Sequence, residues 1–247
     1  MSIEAIIVSF NCLDLLSITL PRNLQHLDHI IILTKKDDTN TIKFCQDLDK
    51  DKITIICADD EFNYDGAIFN KGLAINRGIA ASKFKDWIIT LDSDIILPAS
   101  FRDDFCILPP DNELFYGMRR YNIDTREDFN DLEQGKKNIN DFILYRGSGY
   151  GYFSMFNYKS KIFQDLLKKY NGFGYPFWIK EAREIDWIFR NSWGERKFNP
   201  PLFDKFPDVH FVKNSDYDTG MYRELPFNCL HLGIPGKNHE IRKTEKF

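Results

Sequence analysis

Four apolar runs rich in β-branched residues punctuate the first hundred positions: "AIIVSF" (Ala5 to Phe10), "HIIILT" (His29 to Thr34), "KITIICA" (Lys52 to Ala58) and "WIITLD" (Trp87 to Asp92). Each is nearly continuous in hydrophobicity, the pattern of strands covered on both faces in a parallel sheet. Between them lie "LDLLSITLPRNLQHL", "TNTIKFCQDLD" and "NKGLAINRGIAASKF", with apolar residues three and four apart and length enough for crossover helices. The alternation predicts β-α-β-α-β-α-β, an open, doubly wound α/β sheet with helices on both faces.

Beyond Pro98 the periodicity loosens. Residues 120–142, "RYNIDTREDFNDLEQGKKNINDF", are polar and acidic and predict an exposed loop or a short surface helix. A Gly and aromatic stretch, "YRGSGYGYFSMFN", precedes two predicted helices, "SKIFQDLLKKY" and "EAREIDWIFRNSW". The tail from Leu225 to Phe247, with Pro226, Gly233, Pro235 and Gly236, reads as a loop. With no internal repeat or linker, the expectation is one domain over 1–247, with two functional halves divided near Pro98.

Composition narrows the class. Hydrophobic residues make up 43% and aromatics 15%, ample for a core and contrary to overall disorder. A net charge of -4, from 33 basic and 37 acidic residues, supplies no field for a nucleic-acid partner. Cys12, Cys45, Cys57, Cys106 and Cys229 contain no C-x-x-C pair, so neither a zinc site nor a disulfide framework is indicated; they read as thiols in a reducing compartment. "MSIEAIIVSF" lacks the basic region of a signal peptide, and no run reaches the roughly 18 apolar residues of a membrane span. The expectation is a soluble cytoplasmic protein without an integral membrane segment.

The fourth run ends in "LDSDIILP", where Asp92, Ser93 and Asp94 interrupt an apolar strand. A buried, unpartnered carboxylate costs several kcal/mol or more, so the pair must meet solvent, positive charge or a metal. In open α/β sheets ligands bind beyond the carboxyl ends of the strands, where this pair falls. If the backbone stays extended, residues two apart share a side, and both carboxylates can address one hard cation such as Mg²⁺ or Mn²⁺. Asp-Ser-Asp is also ordinary turn chemistry.

With this placement, residues 3–98 resemble the GT-A nucleotide-sugar glycosyltransferases, specifically the small family-two-like enzymes. "LDSD" after a strand matches their D-x-D element, and "NKGLAINRGIAASKFKDWIITLDSD" matches a helix opening on Asn-x-Gly before that strand. The resemblance implies a GT-A, Rossmann-like open mixed sheet and a metal bridging the enzyme and the donor diphosphate. It places Ser9 and Asn11 of "IIVSFN" at the nucleotide, and Asn70, Lys71 and Asn76 of the helix beside the donor. Asp94 becomes the direct metal ligand, with Asp92 on the metal, a metal-bound water or the ribose, and Ser93 between them. The chain departs from the family after the second strand: "LTKKDDTN" replaces an Asp-Asp-Gly-Ser type loop. Thr34, Lys35, Lys36 and Asp37 are then the groups available to base and ribose, although Lys35 and Lys36 also read as solvated charge.

The second half matches by isolated motifs. "EIDWIFR" puts Asp186, with Glu184 in reserve, where such enzymes carry the base that deprotonates an acceptor hydroxyl in an inverting transfer; acids there also suit a helix dipole. His231 in "CLHLGIPGKNHEIRK" corresponds to a third metal ligand or a core histidine, and Lys237, His239 and Arg242 to a loop closing on the diphosphate. Gly147, Gly149 and Gly151 allow close backbone approach, and Tyr150, Tyr152, Phe153, Tyr175, Phe177 and Trp178 supply rings for an acceptor sugar or for the core. Implied is a Mn²⁺- or Mg²⁺-dependent glycosyltransferase, with a nucleotide diphosphate sugar as donor and a glycan, protein or small molecule as acceptor. The alternatives are a sugar nucleotidyltransferase, against which "VSFNCLD" lacks a phosphate-binding glycine, and a non-catalytic carbohydrate-binding protein.

Overall fold

The computed structural model describes residues 1–67, 69–107, 111–145, 151–177, 182–194 and 222–233. All four expected strands form: β1 (Ile3–Val8), β2 (His29–Thr34), β3 (Ile53–Cys57) and β4 (Trp87–Asp92). They pair in parallel in the order β3-β2-β1-β4 and are linked by α1 (Leu13–Asn23), α2 (Thr39–Leu48), α3 (Asp59–Phe62) and α4 (Lys71–Ala80). Alternate residues of each run serve opposite faces. Ile7, Ile32 and Ile89 join Leu16 and Leu20 of α1, whereas Ile6, Ile31 and Ile88 join Ala74, Ile75 and Ile79 of α4. Continuous hydrophobicity thus follows from helices on both faces of an open Rossmann-like sheet.

After β5 (Ile95–Ile96) and α5 (Phe101–Ile107) come β6 (Phe115–Ile123), α6 (Arg126–Glu133), β7 (Leu144–Tyr145), β8 (Phe153–Asn157), α7 (Lys161–Lys169), α8 (Ala182–Gly194) and β9 (Tyr222–Leu232). β8 pairs antiparallel with β4, β6 antiparallel with β8, β9 parallel with β6, and β5 antiparallel with β9. The sheet is therefore mixed, in the order β3-β2-β1-β4-β8-β6-β9-β5, with β7 attached to β6.

Two expectations are corrected here. Arg120–Ile123 ends strand β6, and only Arg126–Glu133 is the short surface helix, capped by Thr125. Leu225–Leu232 belongs to strand β9. Pro226 concealed it: the β6 register steps from Gly117↔Glu224 to Arg119↔Asn228, so three residues of β9 oppose Met118 alone. A bulge of this kind tolerates a proline without a ladder donor.

The order reverses at β1, whose neighbours β2 and β4 lie on opposite sides; in open α/β sheets such a switch point, here at the carboxyl ends of β1 and β4, is where ligands bind. At the other end of β1, buried Glu4 ties the sheet to the turn after α4. It accepts a hydrogen bond from the Ser82 hydroxyl, accepts from the Lys83 and Phe84 amides at 2.8 Å each, and pairs with His29 Nδ1 at 2.9 Å. Burial pushes its carboxyl pKa up, but these donors together outweigh burial and hold it below the usual value. Among the described residues no helix is long and apolar enough to cross a membrane.

Candidate active site

Asp92 ends β4, Ser93 and Asp94 form a turn, and β5 starts at Ile95. The turn is clamped from both sides. Thr19 Oγ1 donates to the Ser93 carbonyl at 2.7 Å, and Asn23 bridges the Ile95 carbonyl and the Leu97 amide at 2.8 and 2.9 Å. From β9, the Leu232 amide donates to the Asp94 carbonyl at 2.9 Å. The extended backbone that would put both carboxylates on one side gives way to this turn, and they reach different partners.

Asp92 Oδ1 accepts from Lys71 Nζ at 3.0 Å, and the same ammonium donates to Asp186 Oδ2 and to the Gly151 carbonyl, each at 3.0 Å. Its three donors are thereby engaged. Asn70 starts the helix that carries Lys71: its Oδ1 accepts from the Leu73 amide at 2.9 Å, and its Nδ2 donates to the Phe177 carbonyl at 2.8 Å. Asn76 accepts the Tyr175 amide and donates to the Tyr175 carbonyl, both at 2.8 Å. Held there, the Tyr175 hydroxyl donates to Asp186 Oδ1. The side-chain amides of Asn70 and Asn76, expected beside the donor, are thus taken up by the backbone of residues 175–177.

Charge in this cluster is unbalanced, since Asp92 and Asp186 share one ammonium and Asp94 acts on Asp92 as a further negative charge. Burial, together with Asp94 and Asp186, pushes the Asp92 carboxyl up to about 6 against the opposing pull of Lys71. Burial alone would lower the Lys71 pKa, but Asp186 and then Asp92 raise it above its usual value. Burial and the adjacent Asp186 also hold the Tyr175 phenol well above its ordinary range.

Asp94 has another neighbour. The pairing Ile95↔His231 brings His231 Nε2 to 3.5 Å from Asp94 Oδ2, with both side chains largely buried. Two of the three expected metal ligands thus meet, while the third, Asp92, is held by Lys71. Among the described residues no three His, Cys, Asp or Glu side chains gather closely enough to hold an ion. The two carboxylates are nevertheless the oxygen ligands that Mn²⁺ or Mg²⁺ prefers, with the imidazole a softer donor beside them, and the negative excess is of the sign a cation would neutralise.

Asp186 lies in the second turn of α8, beyond the reach of a simple helix-dipole role. Ile185, Phe189 and Trp193 fix that helix against the sheet by packing with Phe115 and Phe156. Only 6% of the Asp186 side chain is exposed, and both oxygens already accept a donor. Gly151 makes room for it: at φ +81° it adopts a backbone foreign to L side chains, and a Cβ there would stand 2.9 Å from Asp186 Oδ2. Replacing Tyr175 by phenylalanine keeps the ring but removes one donor from buried Asp186. Stability should fall by about 1–3 kcal/mol in urea unfolding; an unchanged midpoint would contradict the assigned bond.

A second polar group lies at the ends of β1 and β2. Ser9 is fully buried, and its Oγ has no hydrogen-bond partner among the described residues. Asn11, at φ +54°, turns its amide to Asp38 Oδ2 at 3.0 Å, and Thr34 Oγ1 reaches the same oxygen at 3.2 Å. Asp38 is the organising carboxylate here, and sequence reasoning chose its exposed neighbour Asp37 instead. The missed signal was Asp38 as N-cap, accepting from the Thr41 amide at 3.4 Å. Lys35 Nζ sits 4.5 Å from the Phe10 ring centroid, at the rim.

Tyr152 and Phe153, read as rings for a sugar or for the core, are core: 1% and 0% exposed. Phe177 packs on Phe173 with centroids 4.6 Å apart. Gly147, Gly149, Tyr150, Trp178, Lys237, His239 and Arg242 lie outside the described residues, as does the side chain of Glu184.

No protein-family model matches the chain, and no curated protein matches it. Among solved structures it is similar to HddC from Yersinia pseudotuberculosis, at 13% identity and TM-score 0.47, over 98% of this chain and 99% of that one. It is similar to the galactosyltransferase LgtC in complex with donor and acceptor sugar analogues, at 13% identity and TM-score 0.43, over 94% and 87% of the two chains. A 4-diphosphocytidyl-2C-methyl-D-erythritol synthase from Anaerococcus prevotii matches at 15% identity and TM-score 0.44, over 76% and 84%. At these values the likeness concerns the course of the chain alone.

Proposed function

We propose that this chain is a metal-dependent glycosyltransferase of GT-A type, moving a sugar from a nucleotide diphosphate donor to an acceptor hydroxyl with inversion. The observation that supports it most directly is the Lys71 hub at the carboxyl end of β4, where Lys71 joins Asp92 to Asp186 and the following turn brings Asp94 to His231. Nucleoside binds at the β1 and β2 ends, where Ser9, Asn11, Thr34, Lys35 and Asp38 converge, and the diphosphate lies toward the Asp92 to Asp94 turn. Asp94 and His231, joined by Asp92, would hold Mn²⁺ or Mg²⁺, which supplies charge stabilisation for the departing diphosphate.

Asp186 is the proposed base, with Tyr175 and Lys71 fixing its orientation. Lys71 is a cation that an incoming phosphate competes for; as its ammonium turns to that phosphate, Asp186 Oδ2 becomes available to the acceptor proton. The proton then resides on Asp186, and the acceptor oxygen forms the new glycosidic bond as the bond to diphosphate breaks.

A panel of nucleotide sugars with Mn²⁺, read by release of nucleoside diphosphate, tests the reading. At least one donor should be turned over, and Asp94→Ala should reduce that rate on the order of a hundredfold. No turnover, or an Asp94→Ala rate equal to wild type, overturns it. Pyrophosphate release from a nucleoside triphosphate and a sugar phosphate would identify nucleotidyl transfer instead. For the base, Asp186→Asn should retain donor affinity and lose transfer; full transfer removes that assignment.

A further inference from the structure

Arg120 and Asn122 are two residues apart on β6 and so share a face of the strand. Their parallel partners on β9 are Cys229 and His231, and His231 stands beside Asp94. Cys229 is fully buried, and its Sγ donates to the Arg119 carbonyl at 3.4 Å. A polar row therefore runs from the Asp94 turn along the sheet.

The guanidinium carbon of Arg120 lies 4.3 Å from the Tyr152 ring centroid and 5.0 Å from that of Tyr145. Tyr152 is anchored to the hub on its backbone side, its carbonyl accepting the Asp92 amide at 3.0 Å. Tyr145 is 43% exposed, so the arginine meets both protein and solvent. Among the described residues no carboxylate pairs with this guanidinium. Its Nε and Asn122 Oδ1 are buried and have no hydrogen-bond partner among the described residues. An arginine packed on rings keeps its planar fork of N–H donors pre-organised, the geometry that receives a carboxylate or phosphate.

We propose that Arg120, with Asn122 beside it, is an oxyanion subsite for the acceptor, so that the preferred acceptor is an acidic sugar or sugar derivative bearing a carboxylate or phosphate. This rests on the transferase reading above. Strand order assigns the subsite to the acceptor rather than to the donor: nucleoside groups lie on β1 and β2, whereas Arg120 lies two strands beyond β4 on the opposite side. Arg120 takes the oxyanion, and Asn122 Oδ1 accepts from a neighbouring hydroxyl.

The test uses the full chain with Mn²⁺ and calorimetric titration of two probe pairs, glucuronate against glucose and a hexose phosphate against its hexose, with UDP, GDP and CDP titrated separately. The acidic member of at least one pair should bind on the order of tenfold tighter than the neutral one. Arg120→Met should erase that preference and leave nucleoside diphosphate affinity unchanged. Arg120→Lys should restore part of the preference, a pattern that loss of packing alone does not produce. Should Arg120→Met fail to fold, Arg120→Lys carries the test by a several-fold drop in preference. Equal binding of acidic and neutral sugars by the wild type, or a preference surviving in Arg120→Met, overturns the proposal. So does a loss confined to nucleoside diphosphate binding, which would assign Arg120 to the donor. An intact acidic preference with no nucleoside diphosphate bound would remove the transferase reading and leave the oxyanion site standing.

Discussion

Lys71→Met should lower the unfolding free energy by about 3–5 kcal/mol, the effect of removing one partner from a buried charge network. Methionine roughly preserves the stem and deletes the ammonium. Asp92, Asp186 and the Gly151 carbonyl then lose their common donor, and Asp186 retains only Tyr175. The pH dependence follows from Asp92. Its folded carboxyl is raised to about 6, so the folded protein keeps a proton that the unfolded chain has released, and this group weakens the fold as pH rises from about 4 to about 6. Without Lys71 its downward pull on that value is lost, so the window moves upward and its effect grows. Urea unfolding of both proteins at pH 5 and pH 8 checks this: the deficit of Lys71→Met should be larger at pH 8. An equal or smaller deficit there would show that Lys71 does not neutralise these carboxylates.

Gly72→Ala should be nearly as damaging, with a loss of about 3 kcal/mol or more. An added Cβ would lie 1.9 Å from the Pro176 carbonyl oxygen and 3.0 Å from its carbon, both backbone atoms with no rotamer to escape by. Asn70 and Asn76 hold that segment at Phe177 and Tyr175, so a shift large enough to relieve the clash detaches the Tyr175 hydroxyl from Asp186. Donor turnover should therefore fall together with stability. Gly135→Ala is the control: φ is +70° but no atom lies within 4 Å, and the expected loss is about 1 kcal/mol with turnover unchanged. A Gly72→Ala protein as stable as Gly135→Ala would mean that α4 does not approach residues 175–177 so closely.

Hydrophobic pattern carried much of the fold. The four parallel strands were legible because burial on both faces demands continuous apolar runs, and the connecting helices because their apolar residues recur at helical spacing. β9 was not, since Pro226 and Gly233 are loop signals unless a partner strand supplies a bulge to receive the proline. The 120–142 segment was half legible: α6 shows its polar surface character, while the end of β6 carries arginines and an asparagine that look exposed until β9 lies beside them.

The candidate site divides along the same line. By itself the sequence determined that carboxylates stand at the end of the fourth strand, that an Asn-Lys-Gly opens the helix before it, and that Asp186 and His231 occur near apolar segments. Those are local facts, set by residue type and spacing. Only the tertiary structure decided which atoms meet. Lys71 lies 21 residues from Asp92 and 115 from Asp186, yet it bonds to both at 3.0 Å, and His231 reaches Asp94 only through the β5–β9 pairing. The turn at Ser93 and Asp94, held by α1 and β9, decided that the two aspartates part company, a choice that backbone clamps far away in sequence impose and local spacing cannot encode.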